Sequence, residues 1–221
     1  MSVDRWTHFN PVKVVFHRGA LGRLAELTDA SNLARVTSPG FARRGVVSML
    51  EQSFGPRIVA IVDDVSPNPD LYAVQKQADS LRQAGVECLV AVGGGSTIDT
   101  GKAIARLLNQ DPDSGLEAML GDSAGSHLCP ALPVIAVPST AGTGAEVTPF
   151  GTVWDHERGK KHSVFGEDLY PKLAVLDPDL TLELPEEVTI SSGLDAISHA
   201  LESTWNHNAS PISLGLATRS L

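Results

Sequence analysis

The sequence has little of what marks a disulfide scaffold, a nucleic-acid binder or a membrane protein. Only two cysteines, Cys88 and Cys129, occur among 221 residues, with no C-x-x-C spacing. That excludes a disulfide framework and reads as two free thiols in a reducing compartment. Basic residues are in deficit: 17 Lys and Arg stand against 26 Asp and Glu, for a formal charge of −9. An acidic surface repels a phosphate backbone, so no nucleic-acid partner is expected. No apolar run approaches the roughly 18 residues of a membrane span, and residues 1–6 lack the apolar stretch of a secretory signal. The expectation is a soluble, cytoplasmic protein with no membrane partner. Internal repeats and low-complexity segments are absent too. What is present is 42% hydrophobic and 19% charged residues, a balance that can bury a core.

Short β-branched runs alternate with longer amphipathic ones, the pattern of parallel strands joined by crossover helices. Strands are expected at 12–16, 33–37, 57–62, 87–92, 133–137 and 173–176. Helices are expected at 21–27, 41–54, from about 69 to Gly85 with Asn68 as cap, and at 97–108. From Pro185 the texture becomes helical, with Glu186 and Glu187 in a first turn, a second helix over 191–206 and a third opening at Pro211. That third run is uninterrupted at Leu221, without a capping glycine, and reads as unfinished. The fold class is α/β: a Rossmann-like parallel sheet with flanking helices over 1–184, then the beginning of an all-helical domain over 185–221.

Three segments carry chemistry. In the first, Val90-Ala91-Val92 runs into Gly93-Gly94-Gly95-Ser96, followed by Asp99 and Lys102. Glycines let a ligand approach the backbone, and a helix start offers unpaired N–H groups to phosphate. A lone triple glycine is equally well a tight strand-to-helix turn; the polar Asp99 and Lys102 just inside the helix favour a pyrophosphate site. In the second, Ile135-Ala136-Val137 runs into Pro138-Ser139-Thr140-Ala141-Gly142-Thr143-Gly144. Two such loops meet at the carboxyl edge of a parallel sheet, where nucleotides bind, although loop solubility alone also explains the hydroxyls. In the third, Asp195 and His199 stand four apart in Gly193-Leu194-Asp195-Ala196-Ile197-Ser198-His199 and so share one helix face. A carboxylate and an imidazole there can hold one side of a divalent metal, or simply bond to each other.

Taken in order, with Asp177-Pro178-Asp179-Leu180 between the second and third, these segments resemble the iron-containing (group III) alcohol dehydrogenases from about Asn10 onward. The resemblance implies a nucleotide domain, a helical domain and a metal in the cleft between them. It implies hydride transfer between NAD or NADP and a small alcohol or aldehyde, with Fe²⁺ or Zn²⁺ as Lewis acid, in a homodimer joined near residues 12–16. By matching motif, Gly94, Gly95 and Ser96 hold the pyrophosphate, while Ser139, Thr140 and Thr143 line the nucleotide and nicotinamide site. Lys161, rather than Lys160, lies near the ribose, Leu180 touches the adenosine end, and Asp195 and His199 are the first two metal ligands.

The sequence also departs from that pattern. Such enzymes run to nearly twice this length and carry two more histidine ligands, for which His207 is badly placed, about 120° round a helix from Asp195. Ser38 stands where many relatives have an Asp facing the adenosine ribose, and Arg43 and Arg44 follow, which suits the 2′-phosphate of NADP. His17 and Ala145 replace a common Gly and Ser. Two other readings stay open: a glycerol dehydrogenase, maleylacetate reductase or dehydroquinate-synthase-like relative, and a truncated, non-catalytic NAD(P)-binding module.

Overall fold

Helices on both faces bury a parallel strand on both sides, which makes such strands continuously apolar. The computed structural model, which describes residues 5–42, 45–113, 115, 116, 120 and 129–221, has six such parallel strands. The inner ones are buried on both faces and the two edge strands are partly exposed. The six are β1 (Lys13–Phe16), β2 (Leu33–Thr37), β3 (Ile58–Val62), β4 (Cys88–Gly93), β5 (Val134–Pro138) and β8 (Leu173–Leu176). All pair in parallel, in the order β1-β8-β5-β4-β2-β3. Every residue of β2, β4 and β5 is buried.

Alternate residues of these strands feed two cores. Ala34, Val36, Leu89, Ala91 and Ala136 face α3 (Leu71–Leu81) and α4 (Gly95–Leu108), against Val74, Ala78, Ile98 and Ile104. Leu33, Val90, Val92, Ile135 and Val137 face the 3-10 segment Ala20–Leu27 and the helices α1 (Pro39–Ala42) and α2 (Val46–Phe54), against Leu21, Leu24, Leu50 and Phe54. From β2 the chain steps to one side to form β3. It then returns to form β4, β5 and β8 on the other side. The order therefore reverses between β2 and β4, and a crevice opens at their carboxyl ends, the usual place for a ligand in such sheets.

Several local expectations need correction. The helix expected over 41–54 is two helices, because Gly45 adopts a left-handed φ of 73° before α2. Residues 21–27 form a 3-10 helix rather than an α-helix. The cap of α3 is Asp70, whose Oδ1 accepts the N–H groups of Tyr72 and Ala73 at 3.0 and 3.1 Å. Asn68 instead sits in a left-handed turn ahead of it. The two helices expected after Pro185 are one, α5 (Glu186–Trp205). Nothing in 186–192 breaks it, and the Thr189 and Ser192 hydroxyls bond back to helix carbonyls. Residues 211–220 form α6 (Pro211–Ser220), opened by a Ser210–Ser213 capping box. The antiparallel hairpin β6 (Phe150–Asp155) and β7 (Lys160–Phe165) is an element beyond the expected set. Among the described residues, no helix is long and apolar enough to cross a membrane.

Candidate active site

At the crevice, β4 ends in Gly93 and α4 begins at Gly95. No side chain caps α4, which leaves the N–H groups of its first residues without a side-chain acceptor, although Thr97 N–H bonds the Gly94 carbonyl at 3.0 Å. A Cβ on Gly93 would overlap the Thr97 side chain, and one on Gly95 would meet Thr143 Cγ2 at 2.9 Å. Gly95 thus lets the hydroxyl-rich loop after β5 close over the turn, while Gly93 makes room for Thr97 of α4.

Two depressions meet at this turn, and Gly95 and Ser96 line both. On the β2 side lies a groove of about 360 Å³ with Ser38, Phe41, Gly94, Ser139 and Thr140 in its walls. On the hairpin side lies a cleft of about 540 Å³ containing Asp99, Thr143, Thr152, Trp154, Lys161, Asp195 and His199. Leu180, expected at the adenosine end, lines an adjoining depression with Gly19 and Asp177 that shares Phe41 with the groove. Arg43 and Arg44 lie outside the described residues.

The polar groups inside α4 divide. Asp99 lines the cleft, and its Oδ2 accepts the Thr152 N–H at 3.0 Å. Burial pushes its carboxyl up to about 6, against the pull of that N–H and of Lys102 and Lys161. Lys102, expected beside phosphate, turns the other way. It is fully buried and donates to the carbonyl oxygens of Ala145, Thr148 and Phe150 at 2.6, 2.7 and 2.7 Å. A lysine seven residues along the helix from the glycine turn faces the helix flank, not the N-terminal dipole. Lys161 does enter the cleft, with Nζ 5.9 Å from the centre of the Trp154 ring.

The Asp195 and His199 side chains, one turn apart on α5, open into this cleft, and His199 Nε2 lies 3.5 Å from Asp195 Oδ1. An oxygen and an imidazole nitrogen on one helix face fit two corners of a divalent metal's donor set. Among the described residues no third His, Cys, Asp or Glu joins them, and His207 follows the end of α5, away from the cleft.

Trp154 and Asn68 are among the cleft residues that a reading of the sequence does not assign to the site. Trp154 on β6 forms a wall, stacked on His156 with ring centres 6.3 Å apart. Asn68 lines the same cleft with φ of 53°, the only positive φ outside glycine among the described residues. Its N–H donates to Ser96 Oγ at 3.3 Å, and its carbonyl oxygen bonds His156 Nε2 at 3.0 Å. A left-handed asparagine at a site is a strain that function often explains, and the sequence signal was its place in Ser66-Pro67-Asn68-Pro69.

The family model for iron-containing alcohol dehydrogenases matches residues 11–178. The chain belongs to the iron-containing alcohol dehydrogenase family. A probable alcohol dehydrogenase, EutG of Escherichia coli, is 42% identical over 198 residues, which is 89% of this chain and 49% of that protein. The phosphonoacetaldehyde reductase of Streptomyces viridochromogenes is 36% identical over 87% of this chain and 49% of its own length. The chain thus spans about half the length of these curated relatives. Among solved structures, sulfoacetaldehyde reductase from Bifidobacterium kashiwanohense in complex with NAD⁺ superposes with a TM-score of 0.90 at 31% identity, covering 96% of this chain and 57% of that one.

Proposed function

We propose that this chain provides the dinucleotide site and the first two metal donors of an oxidoreductase that moves hydride between NAD(P)H and a small aldehyde or alcohol. One observation carries the reading: the uncapped glycine turn stands between a groove and a cleft, and the cleft ends at the Asp195–His199 pair. In this reading residues 1–184 are the nucleotide domain and 185–221 open the helical one.

When bound, the nicotinamide supplies the hydride and the metal, Fe²⁺ or Zn²⁺, supplies a Lewis acid for the carbonyl. The N–H groups at the start of α4, with Ser96, bind the pyrophosphate. Ser38, Ser139 and Thr140 receive the adenosine half in the groove. Thr143, Lys161 and the Trp154 wall orient the other half in the cleft, where they exclude water. Asp195 and His199 hold the metal at the mouth of that space.

The groove carries no carboxylate among its described lining residues, and Ser38 occupies the end of β2. A groove without a carboxylate does not repel a 2′-phosphate, and in this reading NADPH serves as well as NADH. The exposed edge of β1, with Val14 and Phe16 outward, supports a homodimer through that strand. The two free thiols, one of them buried at Cys88, suit a cytoplasmic setting.

The test is an assay of NADPH and NADH oxidation with short aliphatic aldehydes, using protein as its host makes it, before and after chelation. Metal-dependent turnover is expected. Turnover that survives full metal removal, or none with any divalent metal restored, contradicts the reading.

A further inference from the structure

Lys102 lines neither the groove nor the cleft, yet it is the largest fully buried side chain among the described residues. Its three ammonium N–H groups match three short bonds to main-chain oxygens of one segment, Ala145, Thr148 and Phe150, and Thr148 Oγ1 lies at 3.3 Å. Within the segment only the Thr148 hydroxyl donates to one of these oxygens, a long 3.4 Å bond to Ala145, and a buried acceptor without a partner costs about 1–3 kcal/mol. The path of residues 145–150 therefore depends on a cation at that point.

The same segment builds one wall of the cleft. Ala145, Thr148, Phe150, Thr152 and Trp154 all line it. A second clamp lies one turn back on α4, where Asp99 accepts the Thr152 N–H. Between the two clamps Gly151 presses on the helix, and a Cβ there would meet the Asp99 carbonyl oxygen at 3.1 Å. Both the glycine turn and this wall are thus referenced to one helix.

We propose that Lys102 is a positioning residue: through the Ala145, Thr148 and Phe150 carbonyls it sets the cleft wall relative to the glycine turn, and so governs binding of the nicotinamide half of the cofactor but not the adenosine half. This rests on the dinucleotide reading above. Lys102 touches no ligand itself. Burial lowers the pKa of its ammonium to about 8, and Asp99 and Glu146 oppose that shift by favouring the protonated form.

The experiment compares NADH with ADP, which shares only the adenosine and pyrophosphate portion, on the full protein and its Lys102→Met variant. Methionine keeps the apolar stem and removes the donors. The expected result is a Kd for NADH raised at least about tenfold with the Kd for ADP unchanged. Equal weakening of both ligands shows general loosening and overturns the proposal; so does no weakening of either. If Lys102→Met does not fold, Lys102→Gln, which restores two of the donors, is scored by the same ratio. A wild type that binds neither NADH nor ADP sinks the dinucleotide reading itself, a result distinct from failure of the Lys102 proposal alone.

Discussion

Gly142 packs so closely on Ser192 that a Cβ at position 142 would lie 2.7 Å from the Ser192 carbonyl oxygen. The hydroxyl-rich loop after β5 is thereby seated directly on α5, one turn before Asp195. A Gly142→Ala protein must push α5 away, since the opposing atom is main chain and cannot swing aside. Overpacking of this kind costs about 1–3 kcal/mol. Chemical denaturation should show that loss, and metal analysis should show weaker retention at Asp195 and His199. Unchanged stability together with unchanged metal content contradicts the contact.

The Asp195–His199 pair separates metal binding from cofactor binding. Asp195→Ala and His199→Ala, each in the protein as its host makes it, are expected to lose the metal and keep NADH affinity. Elemental analysis alongside an NADH titration reads both. Metal retained in both variants removes these residues from the ligand set.

Asp99 gives a pH signature. Its carboxyl is raised to about 6 in the folded protein by burial, above the ordinary unfolded value of about 3.9. The folded state therefore holds the proton more tightly, and this contribution to stability is present below about pH 4 and lost as pH rises through about 6. Wild type minus Asp99→Asn stability should fall across that window by at most about 3 kcal/mol. The asparagine keeps an acceptor for the Thr152 N–H, so its own profile lacks the step. Parallel profiles for the two proteins contradict the assignment.

How far the sequence could be read follows from where each signal comes from. β4 and β5 were legible because burial on both faces leaves them without a charged or hydroxyl side chain, and β2 because only Arg35 and Thr37 interrupt its apolar run. The glycine turn and the Asp195–His199 spacing were legible because each lies within one short segment. The β6–β7 hairpin was not, since the buried alternate positions of β6 are Gly151, Val153 and Asp155, only one of them a large apolar residue, and β7 buries only Val164. Asn68 and Asp70 both look like helix caps; only Asp70 has its side chain on the first N–H groups of α3. The roles of Lys102 and Trp154 depend on partners far along the chain. Lys102 is a charged residue on a helix that elsewhere reads as amphipathic, and nothing local shows that three carbonyls await it.

Ser38 tests cofactor choice. Introducing a carboxylate by Ser38→Asp places negative charge at the end of β2, in the wall of the groove. The account expects selectivity for NADPH over NADH to drop by at least about tenfold, or about 1.4 kcal/mol. Paired titrations of the two cofactors measure it. A ratio that does not move places the 2′-phosphate elsewhere.

The central claim is that a dinucleotide lies across the glycine turn with its nicotinamide in the cleft beside Trp154. Tryptophan-excited energy transfer to NADH tests it most directly, because Trp154 is the one of the three tryptophans that lines that cleft. The account predicts a saturable transfer signal that ADP competes away and that falls sharply in Trp154→Phe while NADH still binds. A saturable signal left intact in Trp154→Phe, or no saturable NADH binding at all, would contradict it.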